Sequence, residues 1–381
     1  MRRLAIVAIV AVVSACTPLR VHVTVLASDT FGGRNNTTQG SAESQHYIIQ
    51  QLKSFGATGT NTAATGDGAF KQSFTDGTNI VGVIPGTELP NEYVIVGGHY
   101  DHLGSTCRGS GADDSICNGA TDNATGAAAT IEVGRAISAI PGGPRRSVII
   151  ALWDREEDGL LGSAYYVAHP LVPNNQTIAY VNFDIQGANL LPSLRNSSFA
   201  VGSETGGARL TNAVQSAIGT KLGTKLVSSI FGQGRSDYVN FTSVAIPNVF
   251  FSDSTGPCYH TVKDETAIVD WGKLDKQVAI ATALTKDLIA GTAPTFVANP
   301  PLATYADAVA LGGVVDQAII DIGRFTPAQQ TQLQQFHDDV NAVVAAGPAQ
   351  FDDSDIGPLL SGAAGAVNLL TSGTCDGFLS Q

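Results

Sequence analysis

Two adjacent glutamates, Glu156 and Glu157, follow an unbroken apolar run in the segment SVIIALWDREEDGLLGS. Such a run is typical of a β-strand buried on both faces, and the glycines after the acids indicate a turn. Adjacent carboxylates repel each other, and a fold keeps such a pair beside its core mainly when a cation or a shared proton stabilises it. An isolated Glu-Glu pair can also belong to a solvated surface turn. Other reactive residues in the sequence are therefore needed to distinguish a functional site from such a turn.

Other histidines and carboxylates occupy similar positions after apolar runs. EYVIVGG leads into His99, and IAYVNFD ends at Asp184. The full candidate set is His99, Asp101, Asp122, Glu156, Glu157, Asp184 and His260. Imidazole and carboxylate donors suit zinc, and two histidines with three carboxylates can hold two ions if one carboxylate bridges them. One glutamate of the pair can then bind metal while the other accepts a proton from the attacking water.

Alternating strands and helices must position these residues. Strands are predicted at residues 79–84, 92–98, 147–154, 178–184 and 246–251, and helices at 41–55, 125–140, 207–218 and 273–290, with another beginning near Ser163. This alternation predicts an α/β three-layer sandwich, in which a mixed, mainly parallel sheet is covered by helices on both faces. Sites in such sheets lie beyond the carboxyl ends of the strands, where the candidate residues can converge.

Composition predicts a large globular core, because 43% of the 381 residues are hydrophobic and only 14% are charged. The formal net charge of -12 argues against a nucleic-acid partner. After Gly291 a proline-containing connector precedes helices predicted at residues 307–322, 327–346 and 358–370. The chain is therefore predicted to comprise a catalytic domain at residues 16–290 and a helical C-terminal extension at residues 291–381.

The N-terminus has the pattern of an export signal. Residues 1–15 combine a positive start with a short apolar run, and Val13-Ser14-Ala15-Cys16 resembles a bacterial lipobox. Cys16 would then carry a lipid, so that the protein is exported, is anchored to the bacterial cell envelope and contacts the membrane only through that lipid. An ordinary cleaved signal peptide, which would make the protein secreted, is the alternative.

Four cysteines remain when Cys16 is set aside, which is enough for two disulfides in an oxidising compartment. Cys107 with Cys117 is the preferred local pair, leaving Cys258 with Cys375 to hold the C-terminal tail. Four cysteines allow three pairings, and thiols as metal ligands are a further alternative.

Several motifs in order resemble metallopeptidase family 28, the two-zinc aminopeptidases with an α/β exopeptidase fold. They are GGHYDHLG, NGATDNATGAAATIEVGRAI, WDREEDGLLGSAYY, VNFDIQG, GRSDYVNF and IPNVFF with YHT, and the resemblance covers residues 28–290. It implies that His99 and Asp184 hold one zinc ion, that Glu157 and His260 hold the other, and that Asp122 bridges them.

The resemblance also implies roles around the two zinc ions. Glu156 would be the general base and acid, Asp101 would orient His99, and Tyr259 would donate a hydrogen bond to the developing oxyanion. The peptide bond between Asp122 and Asn123 would be cis. The implied activity is hydrolysis of N-terminal residues from peptides with a free N-terminus.

Two other functions remain open. Glutaminyl cyclases share the fold and use one zinc ion, although the run from Asp122 to Gly126 looks more like the peptidase pattern. A catalytically inactive surface lipoprotein is the second alternative, although no ligand is missing. The loop between Cys107 and Cys117 and the C-terminal tail depart from the family pattern and could wall the pocket.

Overall fold

The computed structural model describes residues 17–375, in which nine strands form one mixed sheet. The strands are β1 (Thr58–Gly59), β2 (Lys71–Phe74), β3 (Gly77–Ile84), β4 (Leu89–His99), β5 (Arg146–Trp153), β6 (Thr177–Phe183), β7 (Ser197–Val201), β8 (Gly223–Val227) and β9 (Asn248–Ser252). Their order is β1-β3-β5-β4-β6-β9-β7-β8, with β2 beside β3. The central strands β5, β4, β6 and β9 are parallel, whereas β3 and β7 join them antiparallel. The predicted signal peptide and Cys16 lie outside the described residues.

Helices cover both faces of the sheet. They are α1 (Pro18–Leu26), α2 (Gln39–Ser54), α3 (Thr125–Ser138), α4 (Leu161–Ala168), α5 (Gly207–Ile218), α6 (Tyr238–Ser243), α7 (Trp271–Ala290), α8 (Tyr305–Ala318), α9 (Pro327–Ala346) and α10 (Asp353–Thr371). α1, α2, α3, α5 and α7 pack on one face, and α4 and α6 pack on the other. The predicted three-layer α/β architecture is confirmed. No helix in residues 17–375 is long and apolar enough to cross a bilayer.

Strand β5 shows why the sequence before the paired glutamates lacks alternation. Val148, Ile150 and Leu152 join the apolar cluster on one face, and the intervening residues join the cluster on the other. Both faces are therefore buried, and each large apolar side chain contributes about 1.5–3 kcal/mol to stability.

The C-terminal extension is helical, as predicted, but its last helix begins five residues earlier than expected. Proline was expected to start the last helix, yet Pro358 lies inside α10. The helix begins at Asp353 because Asp352 accepts a hydrogen bond from the Ser354 backbone N–H, and Asp352 and Asp355 form a capping box. This side-chain cap, rather than the proline, sets the start of the helix.

The extension packs on the sheet domain next to the strand ends. Residues of α8, α9 and α10 share an apolar cluster that includes Leu311, Phe336 and Leu359. Both disulfides of the preferred pairing are present, and Cys258–Cys375 ties the chain after α10 to the loop after β9. The extension is thereby held close to Tyr259 and His260.

Candidate active site

The candidate residues meet at the carboxyl ends of the parallel strands. His99 ends β4, Asp184 directly follows β6, and Glu156 and Glu157 follow β5 after a turn. Asp122 lies just before α3, and His260 lies in the loop between β9 and α7. Arg155, Ile185 and His260 have positive φ angles of 56°, 59° and 55°, so the chain turns sharply where it enters or leaves the site.

His99 faces three carboxylates with one ring nitrogen. Its Nε2 lies 3.3 Å from Asp122 Oδ1, 3.4 Å from Asp184 Oδ1 and 3.8 Å from Glu156 Oε2. Its Nδ1 lies 3.2 Å from the Asp101 carbonyl and 3.5 Å from Asp101 Oδ1. Because neither oxygen of Asp101 can donate, Nδ1 carries the hydrogen and the Nε2 lone pair is directed into the site.

A second group of donors surrounds His260. Its Nε2 lies 3.1 Å from Asp122 Oδ2 and 2.9 Å from Glu157 Oε2. Asp122 therefore directs one carboxylate oxygen to each histidine. The peptide bond between Asp122 and Asn123 is cis, as predicted.

Asp101 is buried behind the site and joins its two halves. Its carboxylate accepts hydrogen bonds of 3.1 Å and 3.3 Å from the backbone N–H groups of Glu156 and Glu157. The same side chain lies beside His99 Nδ1. One carboxylate thus positions both the histidine and the turn that carries the paired glutamates.

The adjacent glutamates have opposite pKa shifts. Burial raises the pKa of Glu156 well above its usual value, His99 lowers it less, and Asp184 adds to the rise. Burial also acts to raise the pKa of Glu157, but the hydrogen bond from His102 and the nearby imidazole of His260 bring that pKa below its usual value. Two carboxyl groups whose pKa values are pushed apart suit different roles, one exchanging protons and the other staying ionised.

The pKa values of His260, Asp122 and Tyr259 are also shifted by burial and by their charged neighbours. Burial lowers the pKa of His260, but the nearby carboxylates of Asp122 and Glu157 raise it to about 10. Burial acts to raise the pKa of Asp122, but the nearby imidazoles of His260 and His99 bring that pKa well below its usual value. Burial and nearby carboxylates raise the pKa of Tyr259, so its hydroxyl keeps its proton and can donate it. The ring of Tyr259 stacks on that of His260, with centroids 3.8 Å apart.

Some supporting residues were not predicted from the sequence. His102 is buried and its Nδ1 donates to Glu157 Oε1 over 2.7 Å. Asp264 accepts hydrogen bonds from the backbone N–H groups of Thr121 and Asp122. His102 could have been predicted from the HYDH motif, in which it lies three residues after His99. Asp264 could not, because its contacts are with residues more than a hundred positions away in the sequence.

A buried arginine also supports the loops that carry the candidate residues. The Arg34 guanidinium donates to four backbone carbonyls, those of Leu26, Tyr100, Asn118 and Gly119. Burial lowers its pKa to about 10, while the carboxylates of Asp101 and Asp122 act in the opposite direction. Arg34 therefore stays charged and holds together the loops before Asp101 and Asp122.

The donor set fits a metal better than a hydrogen-bonded network. Asp122 Oδ2 and His260 Nε2 are 3.1 Å apart, yet both atoms are buried without a hydrogen-bond partner. Their geometry leaves the lone pairs of both atoms free for a third species. His99 with Glu156 and Asp184, and His99 with Asp122 and Glu157, each bring ligand atoms within 4.8 Å of one another. Imidazole and carboxylate donors of this kind suit zinc.

Residues 79–285 match the model of Peptidase family M28. The match covers more than half of the described chain, and the chain belongs to this family. Among curated relatives, the probable glutamate carboxypeptidase LAMP1 of Arabidopsis thaliana is 30% identical over 223 residues, which are 54% of this chain and 30% of that protein. Leupeptin-inactivating enzyme 1 of Streptomyces exfoliatus is 29% identical over 227 residues, 59% of this chain and 46% of that protein. The chain thus spans less than half the length of these relatives.

Solved structures share the fold at low sequence identity. The LapA aminopeptidase of Legionella pneumophila has a TM-score of 0.55 and 17% identity, covering 72% of this chain and 71% of that one. A glutaminyl cyclase of Bacteroides thetaiotaomicron bound to N-acetylhistamine has the same score and identity, covering 72% of this chain and 97% of that one. An aminopeptidase and a glutaminyl cyclase catalyse different reactions, so the shared fold does not distinguish between them, and the residues of the site must.

Proposed function

We propose that the chain is a zinc-dependent aminopeptidase that removes N-terminal residues from peptides and holds two zinc ions. The observation that carries this proposal is that Asp122 is shared between two sets of donors. Tetrahedral ligands about 2.0–2.1 Å from zinc lie roughly 3.3–3.4 Å from one another. The separations of His99 and His260 from their carboxylates, 2.9–3.4 Å, are close to that value.

The proposal assigns the metal ligands and the residues that orient them. His99 and Asp184 would hold one ion, Glu157 and His260 would hold the second, and Asp122 would be shared by both. Zinc, when bound, supplies a Lewis acid that polarises the scissile carbonyl and makes water more acidic. Asp101 orients His99 through Nδ1, and the hydrogen bond between His102 and Glu157 orients that carboxylate.

Glu156 is the proton carrier of the proposed reaction. Its carboxylate lies 3.8 Å from His99 Nε2, farther than those of Asp122 and Asp184, which leaves it able to face the reacting water. Glu156 accepts a proton from the attacking water and delivers it to the leaving amine. Tyr259, whose hydroxyl is protonated, donates a hydrogen bond to the oxygen on which charge develops.

A free α-amino group is the substrate feature that these acids would recognise. Glu156 and Asp184 line the cavity. Carboxylates in this position favour an ammonium through charge-assisted hydrogen bonds. These acidic groups therefore support the proposal that the protein trims peptides from the amino end.

Metal reconstitution tests this proposal. Chelator-treated protein should regain hydrolysis of aminoacyl p-nitroanilides as zinc is added, with both activity and bound zinc reaching a limit at two ions per chain. A peptide beginning with glutamine should release free glutamine. Saturation at one ion, with conversion of the glutaminyl peptide to a pyroglutamyl peptide, would instead establish the cyclase function. Failure of zinc to restore any turnover would contradict both.

We further propose that the protein is exported and lipid-anchored through Cys16. The pattern of residues 1–15 and the pairing of the four remaining cysteines support this location. Labelled palmitate should be incorporated into the wild-type protein in a bacterial host but not into Cys16→Ser. Equal labelling of both would contradict the anchor.

A further inference from the structure

A cavity of about 160 Å³ is lined both by the site carboxylates and by the C-terminal extension. The carboxylates are those of Asp122, Glu156 and Asp184. Another part of the wall comes from α8, α9 and α10, all of which follow residue 285, where the match to the family ends. The extension therefore contributes to the site a surface that the family match does not include.

The chemistry of the cavity changes sharply beyond the acids. Its walls carry aliphatic and aromatic side chains, among them Leu190, Phe199, Phe231 and Phe250 from the sheet domain. Apart from the site carboxylates, Arg235 is the charged side chain that lines it, and Arg235 is exposed. A charged substrate side chain would lose hydration in this region without a buried partner, whereas an apolar one gains roughly 25 cal/mol for each Å² that it buries.

Helix α10 contributes two small residues to the cavity wall, beside the larger side chains of Val367, Leu369 and Leu370. Ala363 and Ala366, one turn apart, both line the cavity. Next to them Gly362 contacts the ring of Phe336, which a β-carbon at position 362 would approach to 2.0 Å. Phe336 therefore packs against the backbone of α10, and the two alanines border the open space.

Several contacts fix α10 relative to the site. Arg108 Nη2 donates to the carbonyls of Tyr259 and Thr371, which joins the end of α10 to the residue before His260. The hydroxyls of Thr255 and Thr371 are 2.9 Å apart, and the Cys258–Cys375 disulfide closes the same corner. Because α10 is held at this end, a larger side chain on its inward face would reduce the cavity.

We propose that the C-terminal extension is a specificity-determining wall, which admits a large apolar side chain of the substrate residue bound at the acids. This inference rests on the proposed aminopeptidase function and specifies its substrate class. The extension, through the small residues of α10, sets the upper size limit. Peptides that begin with phenylalanine or leucine are the preferred substrates, and those that begin with glutamate or lysine are poor ones.

Filling the cavity tests the proposal in the full-length zinc-loaded protein. Ala366→Phe should lower kcat/KM for phenylalanyl p-nitroanilide at least about ten-fold relative to alanyl p-nitroanilide. Ala364→Phe is the matched control, because Ala364 is partly exposed and lies outside the cavity lining, and it should keep the wild-type ratio. Ala363→Leu, a smaller change, should shift the ratio in the same direction if Ala366→Phe does not fold.

The outcomes separate this proposal from the proposed function. A wild-type protein that cleaves anilides but prefers alanyl to phenylalanyl substrates, or folded cavity variants with the wild-type ratio, would overturn the specificity wall alone. If no anilide is cleaved, the aminopeptidase function fails. Calorimetric binding of 4-phenylbutylamine, which carries an amine and a large apolar group, then tests the specificity wall by itself. Ala366→Phe should weaken that binding at least about five-fold relative to Ala364→Phe, and equal binding would overturn the wall.

Discussion

The paired glutamates are adjacent in sequence but have different surroundings. Glu157 accepts a hydrogen bond from His102 and lies 2.9 Å from His260, whereas the histidine nitrogen near Glu156 is 3.8 Å away. Glu156→Gln should keep both zinc ions and lose about 10²-fold to 10⁴-fold in turnover, because an amide cannot accept the proton. Glu157→Gln should instead deplete metal. Zinc content and turnover of both variants check this, and near-normal turnover by metal-replete Glu156→Gln would remove Glu156 from its role.

His102 is expected to act on metal affinity through Glu157. Replacing His102 by phenylalanine keeps a ring in the buried site but removes the donor to Glu157 Oε1. Loss of such a supporting hydrogen bond should weaken zinc binding about 10-fold to 100-fold, as measured by competition with a chelator. His102→Gln, which retains a donor, should recover part of the affinity. Unchanged affinity in a folded His102→Phe protein would show that Glu157 needs no such support.

At the scale of elements, α1 and α3 are joined by Glu132. His22 Nε2 and Arg135 Nε lie 3.0 Å and 2.9 Å from Glu132 Oε1. Burial acts to raise the pKa of Glu132, but the hydrogen bonds from His22 and Arg135 hold it below its usual value. Because the folded pKa is the lower one, this carboxylate stabilises the fold above the unfolded pKa of about 4.3, and the contribution is lost as pH falls through the folded value.

Glu132→Gln should therefore flatten the pH dependence of stability on the acid side. Near pH 7 the variant should lose about 1 kcal/mol of unfolding free energy, and the difference from wild type should shrink as pH falls below about 4.3. Urea unfolding at several pH values measures both the loss of unfolding free energy near pH 7 and its decrease at acidic pH. Parallel curves for the two proteins would contradict the assignment.

The elements that the sequence predicts well are those with a strong period or a fully apolar run. Strand β5 was predictable from its unbroken apolar run, which exists because both faces of the strand are buried. Helices α5 and α9 have the predicted bounds. The short strands β1, β2, β7 and β8 were not predicted, because their pairing depends on partners elsewhere in the chain. The same reason applies in the site, where His99 and Asp184 follow recognisable strands, but the contacts of Asp264 and Arg34 exist only after folding.

At the scale of the whole molecule, the two disulfides close loops of very different length. Cys258–Cys375 spans 117 residues and Cys107–Cys117 spans 10. In the chain-entropy model these bonds stabilise by roughly 5 and 3 kcal/mol. The double serine variant at 258 and 375 should therefore lose more unfolding free energy in urea than the double variant at 107 and 117. The reverse order would indicate that the extension is held mainly by its apolar contacts.

The proposed substrate has two features, a free amine that the carboxylates would bind and an adjacent large side chain that the apolar extension would accept. One cavity is lined by both the carboxylates and the extension, which is why the proposal assigns both features to a single substrate residue. Direction of cleavage is the property that distinguishes an aminopeptidase from an endopeptidase on the same metal-binding residues.

The most direct test is the hydrolysis of one peptide with and without an N-terminal acetyl group, using the zinc-loaded protein and mass spectrometry of the products over time. The free peptide should shorten one residue at a time from its amino end. The acetylated peptide should react far more slowly, because it loses a charge-assisted hydrogen bond that contributes about 1.5–3 kcal/mol. Similar rates for the two peptides, or first cuts in the middle of the chain, would contradict the aminopeptidase function.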